Sequence, residues 1–119
     1  MDVGEKFRGD LMYKIDLEHC ICLDEGIFLD TDKQAVIRYG LPIYFSKIEF
    51  RLLSYFIRNM NRPISHQELT DYVWGARGFI EKEELAVYIN RIRKKIEPHP
   101  REPKYLVTVK GFGYIFSQK

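Results

Sequence analysis

The sequence predicts an α+β fold, with an antiparallel β-sheet first, three helices next and a β-hairpin last. Three observations carry this. Short β-prone runs separated by turn residues fill the chain up to Phe45. The hydrophobic period changes at Ser46 from two residues to about 3.6. Residues 105–116, Tyr-Leu-Val-Thr-Val-Lys-Gly-Phe-Gly-Tyr-Ile-Phe, set two β-prone runs around a Lys-Gly-Phe-Gly turn. The chain has 119 residues, 45% hydrophobic and 14% aromatic, which suffices for one domain with a real core.

Residues 1–10 are polar and read as a flexible extension, leaving 11–119 as the domain. Leu11, Tyr13, Ile15 and Leu17 alternate with Met12, Lys14, Asp16 and Glu18, so 11–17 is expected to be a half-buried strand. Further strands are expected at 20–23, 27–30, 34–39 and 42–45, with Asp24-Glu25-Gly26, Asp30-Thr31-Asp32 and Gly40 supplying the turns. Ser46-Lys47-Ile48-Glu49 fits a capping box. Ile48, Leu52, Leu53, Phe56, Ile57 and Met60 then fall on one helical face, and 59–63 ends that helix. Ser65-His66-Gln67-Glu68 reads as a second capping box, opening a shorter helix through Leu69, Val73 and Trp74 that stops at Gly75. A third helix is expected over about 82–97. Its core stripe is Leu85, Ile89, Ile92 and Ile96, with acidic residues in its first turn, basic ones in its last, and Pro98, Pro100 and Pro103 beyond it.

Net charge is only +2, but it is unevenly spread. Residues 1–34 hold four Lys/Arg against nine Asp/Glu, 35–80 six against three, and 81–119 nine against five. A basic C-terminal third suits a one-sided polyanion binder. No apolar run approaches the roughly 20 residues of a membrane span. The N-terminus lacks an apolar signal segment, so a cytoplasmic location is expected. Cys20 and Cys22 are expected on one strand, pointing to opposite faces and not paired with each other. With His19 they make a weak metal motif, for no second ligand pair follows. No metal or cofactor is expected. A Ser/His/Asp set, a phosphate-cradling Gly loop and a paired-carboxylate pocket are all missing from the sequence pattern, so an enzyme is not expected.

On a wheel of about 100° per residue, an inward isoleucine stripe leaves Glu83, Val87, Asn90 and Lys94 outward on the third helix. Ala86 and Arg93 flank them on one side, Arg91 and Glu84 on the other. An amide, small apolar groups and rim cations suit a DNA major groove. There Asn can pair with adenine and Val can touch a thymine methyl, while Arg and Lys hold phosphates.

Two short helices, a recognition-type helix and a hairpin define a winged helix-turn-helix. Specific blocks go further. Ser-Lys-Ile-Glu-Phe-Arg-Leu-Leu at 46–53, Pro-Ile-Ser-His-Gln-Glu-Leu at 63–69 and Val-Trp-Gly at 73–75 come in order. Ala-Val-Tyr-Ile-Asn-Arg-Ile-Arg-Lys-Lys-Ile at 86–96 and Thr-Val-Lys-Gly-Phe-Gly-Tyr at 108–114 follow. Over about residues 20–117 the chain resembles the C-terminal DNA-binding domain of OmpR/PhoB-type response regulators. The resemblance implies sequence-specific binding of double-stranded DNA for transcription regulation. Ala86, Val87 and Asn90 would lie nearest the bases, and Arg91, Arg93 and Lys94 nearer the backbone. Trp74, Thr108 and Tyr114 would touch phosphate, and Lys110 of the wing would reach the minor groove. The loop Gly75, Ala76, Arg77, Gly78, Phe79, Ile80 and Glu81 stands where relatives contact RNA polymerase. It also implies head-to-tail pairs on DNA and a monomer when free.

The chain departs from that pattern at Glu83, Glu84, Ala86, Asn90, Lys110, Phe112 and Ile115. The changes predict a different base preference, a less cationic wing and a weaker non-specific attraction to DNA than a typical relative's, without abolishing the basic face. No receiver domain fits within the chain, so it is expected to be an excised effector domain or a stand-alone relative. Asp24, Asp30 and Asp32 lie in turns and are not expected to accept phosphate. Two other readings compete: a winged helix turned to protein contact, motivated by the acidic helix start and Phe112, and a thiol or metal enzyme using His19, Cys20 and Cys22.

Overall fold

The computed structural model describes residues 20–75 and 78–117. The extension at 1–10, the strand expected at 11–17 and His19 lie outside the described residues. The chain separates into two compact units, one ending at Phe45 and one beginning at Ser46.

The first unit is an antiparallel meander of β1 (Cys20–Asp24), β2 (Ile27–Asp30), β3 (Ala35–Arg38) and β4 (Leu41–Tyr44), in the order β1-β2-β3-β4. Leu23, Ile27, Leu29, Ala35, Val36, Ile37 and Phe45 are its buried apolar residues among those described. The third strand is shorter than expected because Tyr39 belongs to the turn. Tyr39 and Gly40, at φ +51° and +86°, link the paired Arg38 and Leu41. Two left-handed residues give the turn whose twist matches that of the strands. The expectation for the cysteines needs correcting. Cys20 and Cys22 pair with Asp30 and Phe28 in an unbroken stretch of ladder, and alternate strand residues share a face. Neither forms a disulfide.

The second unit opens with α1 (Lys47–Arg58). Its capping box is complete: Ser46 Oγ accepts from the Glu49 N–H, and Glu49 Oε1 accepts from the Ser46 N–H. Leu52, Leu53 and Phe56 are fully buried. Helix α2 (His66–Trp74) forms only half of the expected second box. Ser65 Oγ accepts from the Glu68 N–H, but the Glu68 carboxylate is engaged elsewhere, by the Tyr55 hydroxyl at 2.5 Å and Arg62 at 2.6 Å. Helix α3 (Lys82–Ile96) matches its expected span to within a residue, and all four residues of its stripe are fully buried.

The C-terminal hairpin, β6 (Leu106–Val109) and β7 (Gly113–Phe116), has a third strand that the sequence did not reveal. This is β5 (Ile64–Ser65), paired antiparallel with β7, so that the order is β5-β7-β6. The close approach explains Gly113, which is no turn residue: a Cβ there would overlap the Ile64 carbonyl oxygen. The turn is Val109–Phe112, closed by the Phe112 N–H donating to the Val109 carbonyl at 2.9 Å, with Gly111 at φ +75° in the position that favours glycine. Sheet, helices and winged hairpin are the α+β winged-helix architecture expected.

Candidate nucleic-acid interface

Helix α3 has two faces. Its inner stripe is sealed, and Glu83, Val87, Asn90 and Lys94 are exposed on the opposite side, Val87 by 47%. Ala86 is half-buried beside them and Arg91 is exposed. The face sets an exposed valine beside an amide, two cations and the carboxylate of Glu83. The composition is that of a surface that reads base edges.

Arg93 is placed differently from its neighbours. Its Nε donates to the Leu106 carbonyl at 2.9 Å, one terminal nitrogen to Thr108 Oγ1 at 3.0 Å, and the other to Asn90 Oδ1 at 3.2 Å. Its guanidinium also lies 5.7 Å from the centre of the Tyr114 ring. One side chain thus joins α3 to both strands of the wing and orients the Asn90 amide. That amide keeps its N–H groups and a second carbonyl lone pair for another partner. Burial draws the Arg93 guanidinium down from its usual range, with Tyr114 and Glu97 opposing. Burial likewise pushes the Tyr114 phenol up, against the pull of Arg93. An arginine remains a cation at neutral pH through such a change.

A second support lies on the other flank. Trp74, at the end of α2, meets the Tyr88 ring at 5.8 Å between centroids, and Arg91 lies 5.5 Å from the centre of the same ring. Tyr88 is therefore a platform that fixes both Trp74 and Arg91. The clue available in the sequence was spacing, since Tyr88 and Arg91 are three residues apart on one helix.

On the wing, Thr108 and Lys110 are exposed, Tyr114 is half-buried and Phe112 is 50% exposed at the tip. Thr108, Tyr114 and Phe112 line a groove of about 140 Å³ with Lys82 and His66. His66 Nε2 is buried there without a hydrogen-bond partner. Neither Lys82 nor His66 stood out in the sequence, because each sits at a helix start and is joined to the wing only by the tertiary fold.

The loop after α2 is described except for Ala76 and Arg77. Gly75, at φ +85°, ends the helix, and the Gly78 N–H donates to the Gly75 carbonyl at 2.9 Å. Ile80 is buried, Glu81 caps α3 without a side-chain hydrogen bond, and Phe79 is 81% exposed. One buried anchor beside one exposed ring makes this a presented loop. Among the described residues, no group of three or more His, Cys, Asp and Glu could hold a metal ion. No described helix is long and apolar enough to cross a membrane.

The family described as "Transcriptional regulatory protein, C terminal" matches residues 40–116. The sensory transduction protein RegX3 of Mycolicibacterium smegmatis is 41% identical over a 97-residue alignment that covers 76% of this chain and 42% of that protein. The chain spans about two fifths of the length of the curated relatives it matches. The response regulator DrrB of Thermotoga maritima, an OmpR/PhoB homologue, superposes with a TM-score of 0.72 at 26% identity, over 83% of this chain and 44% of DrrB. The RstA DNA-binding domain of Klebsiella pneumoniae, crystallised in complex with the RstA box, shares the fold. Its TM-score is 0.68 at 22% identity, over 82% of this chain and 96% of that one.

Proposed function

The chain belongs to the family of C-terminal domains of OmpR/PhoB-type transcriptional regulators, a non-enzymatic family, and from that premise we propose that it binds double-stranded DNA in a sequence-specific way to regulate transcription. Helix α3 enters the major groove. Ala86, Val87 and Asn90 meet base edges, while Arg91, Lys94, Trp74, Thr108 and Tyr114 meet the backbone. Lys110 reaches toward the minor groove. Arg93 serves to hold helix and wing together, and is not counted among the cations that meet the backbone. The loop at 75–81 presents Phe79 to RNA polymerase, and two copies sit head to tail on adjacent half-sites. The location is the cytoplasm, where the DNA is. We further propose that the chain is the effector part of a response regulator or of a stand-alone relative, with residues 11–119 as its domain.

The observation that carries this reading is the outer face of α3. It exposes an apolar side chain, an amide, two cations and one carboxylate over a fully buried stripe of one leucine and three isoleucines, and the helix is fastened to a hairpin bearing a further cation. The half-exposed Phe112 favours one alternative, a wing turned to protein contact. Selection from random duplexes at low salt separates the two. The DNA reading expects an enriched motif, a loss of about 1–3 kcal/mol at one base position for Asn90→Ala, and uniform weakening for Arg91→Ala and Lys94→Ala. A pool without enrichment favours the protein-contact reading.

A further inference from the structure

A groove of about 400 Å³ runs along the C-terminal half of α3, lined by Asn90, Arg93, Lys94, Pro100, Arg101 and Pro103. Three of these residues are cations and none is a carboxylate. Asn90 and Lys94 belong to the outer face that the DNA reading sets against the duplex, so Arg101 stands beside that face. The Arg93 guanidinium is already held by Leu106, Thr108 and Asn90. Arg101 is exposed and makes no hydrogen bond or ion pair with another described residue.

The segment carrying Arg101 is fixed rather than loose. The Glu102 N–H donates to the His99 carbonyl at 2.9 Å, closing a turn whose central residues are Pro100 and Arg101. Proline in the second position of such a turn sets its φ in advance. The foot of the loop is fastened by Glu97. This fully buried carboxylate accepts from the N–H groups of Lys104 at 2.9 Å, Tyr105 at 3.0 Å and Leu106 at 2.7 Å. Arg101 therefore projects from a pre-set position, and little backbone freedom is left to lose on binding. Glu102 lines the adjoining hollow of about 680 Å³ with Lys94, His99 and Arg101. The carboxylate makes that hollow the poorer place for an anion and the groove the better one.

We infer that Arg101 is a further DNA-backbone contact, its guanidinium joining Lys94 around one phosphate in this groove. A planar fork beside a point charge suits a tetrahedral oxyanion. The contact extends the interface beyond the end of the recognition helix onto the loop before the wing. It rests on the DNA reading above.

The test uses the 119-residue chain, with Arg101→Ala and Lys104→Ala, on a duplex of about 25 base pairs carrying the selected motif. Affinity is measured between 50 and 300 mM salt. Arg101→Ala is expected to flatten the slope of log affinity against log salt by about 0.9 per bound copy, equivalent to roughly five-fold weaker binding of each copy at 0.15 M. Lys104→Ala removes the same charge from the same loop. The Lys104 ammonium lies 5.3 Å from the centre of the Tyr105 ring and does not line the groove, so its slope is expected to match wild type. Matched thermal midpoints exclude a folding effect. The inference is overturned if Arg101→Ala keeps the wild-type slope, or if Lys104→Ala flattens it equally. A wild-type chain that fails to bind brings down the DNA reading itself. A wild-type chain that binds steeply, with Arg101→Ala unaffected, brings down this inference alone.

Discussion

Arginine 93 separates a clamp from a DNA contact, and the two roles predict opposite results. Truncation to Ala removes hydrogen bonds to the Leu106 carbonyl and Thr108 Oγ1 and releases Asn90 Oδ1. A hydrogen bond to a charged group contributes about 1.5–3 kcal/mol. The Asn90 and Thr108 bonds are solvent-exposed and count at the low end or below, so Arg93→Ala is expected to cost about 3 kcal/mol. Lysine retains the charge but replaces a planar fork with one ammonium. It keeps one of the three bonds, and Arg93→Lys should cost about half as much. For a domain of this size, each kcal/mol lowers the thermal midpoint by about 4 °C. The assay is urea unfolding followed by circular dichroism, paired with a salt titration of DNA affinity. A clamp predicts lost stability in both variants, with Arg93→Lys keeping the wild-type salt slope. If Arg93→Ala left stability within about 0.5 kcal/mol and flattened the slope by 0.9, the clamp would be refuted and a phosphate contact established.

Two further predictions concern the frame behind the interface. Burial pushes the Glu49 carboxyl up, but the Lys95 ammonium 2.5 Å away and the Ser46 N–H outweigh it, leaving the group below its usual range. Glu68 is also lowered, by Arg62 and then Tyr55. Groups lowered on folding add stability above their unfolded pKa, about 4.3, and that stability is lost as pH falls through the folded values. Unfolding free energy should therefore decline below about pH 5. Glu49→Gln should make that decline shallower in a pH series of urea titrations, and an unchanged acid limb would count against the pairing. The two wing glycines should differ. Gly113→Ala places a methyl on the Ile64 carbonyl and is expected to cost more than about 2 kcal/mol. Gly111→Ala has open space around it and meets only its positive φ, about 1–2 kcal/mol. Equal midpoints for these two variants would contradict the described β5–β7 approach.

Much of this architecture was legible where one local rule decided it. The Ser46 box and the Leu85, Ile89, Ile92, Ile96 stripe fixed two helices, because capping and a 3.6-residue period both act within a few residues. Features set by distant partners were not legible. Strand β5 has two residues, too few to show a period, and its partner is about 50 residues away in sequence. Glu68 looked like the second arm of a capping box, yet Arg62 and Tyr55 hold its carboxylate. Gly113 resembled a turn residue because the reason for it, the Ile64 backbone, comes from another element. Within the site, the outward face of α3 followed from the wheel. The inward turn of Arg93, the Tyr88 platform and the place of Arg101 depend on which loops and strands the fold brings beside the helix.

The central claim is that this face grips a DNA backbone, and the salt dependence of wild-type affinity for the selected duplex tests it most directly. Arg91, Lys94, Lys110 and Arg101 offer four cations, and each neutralised phosphate contributes about 0.9 to the slope. A straight line of log affinity against log salt with a slope of about −3 to −4 per bound copy is the expected result. A slope flatter than −1 would contradict the claim.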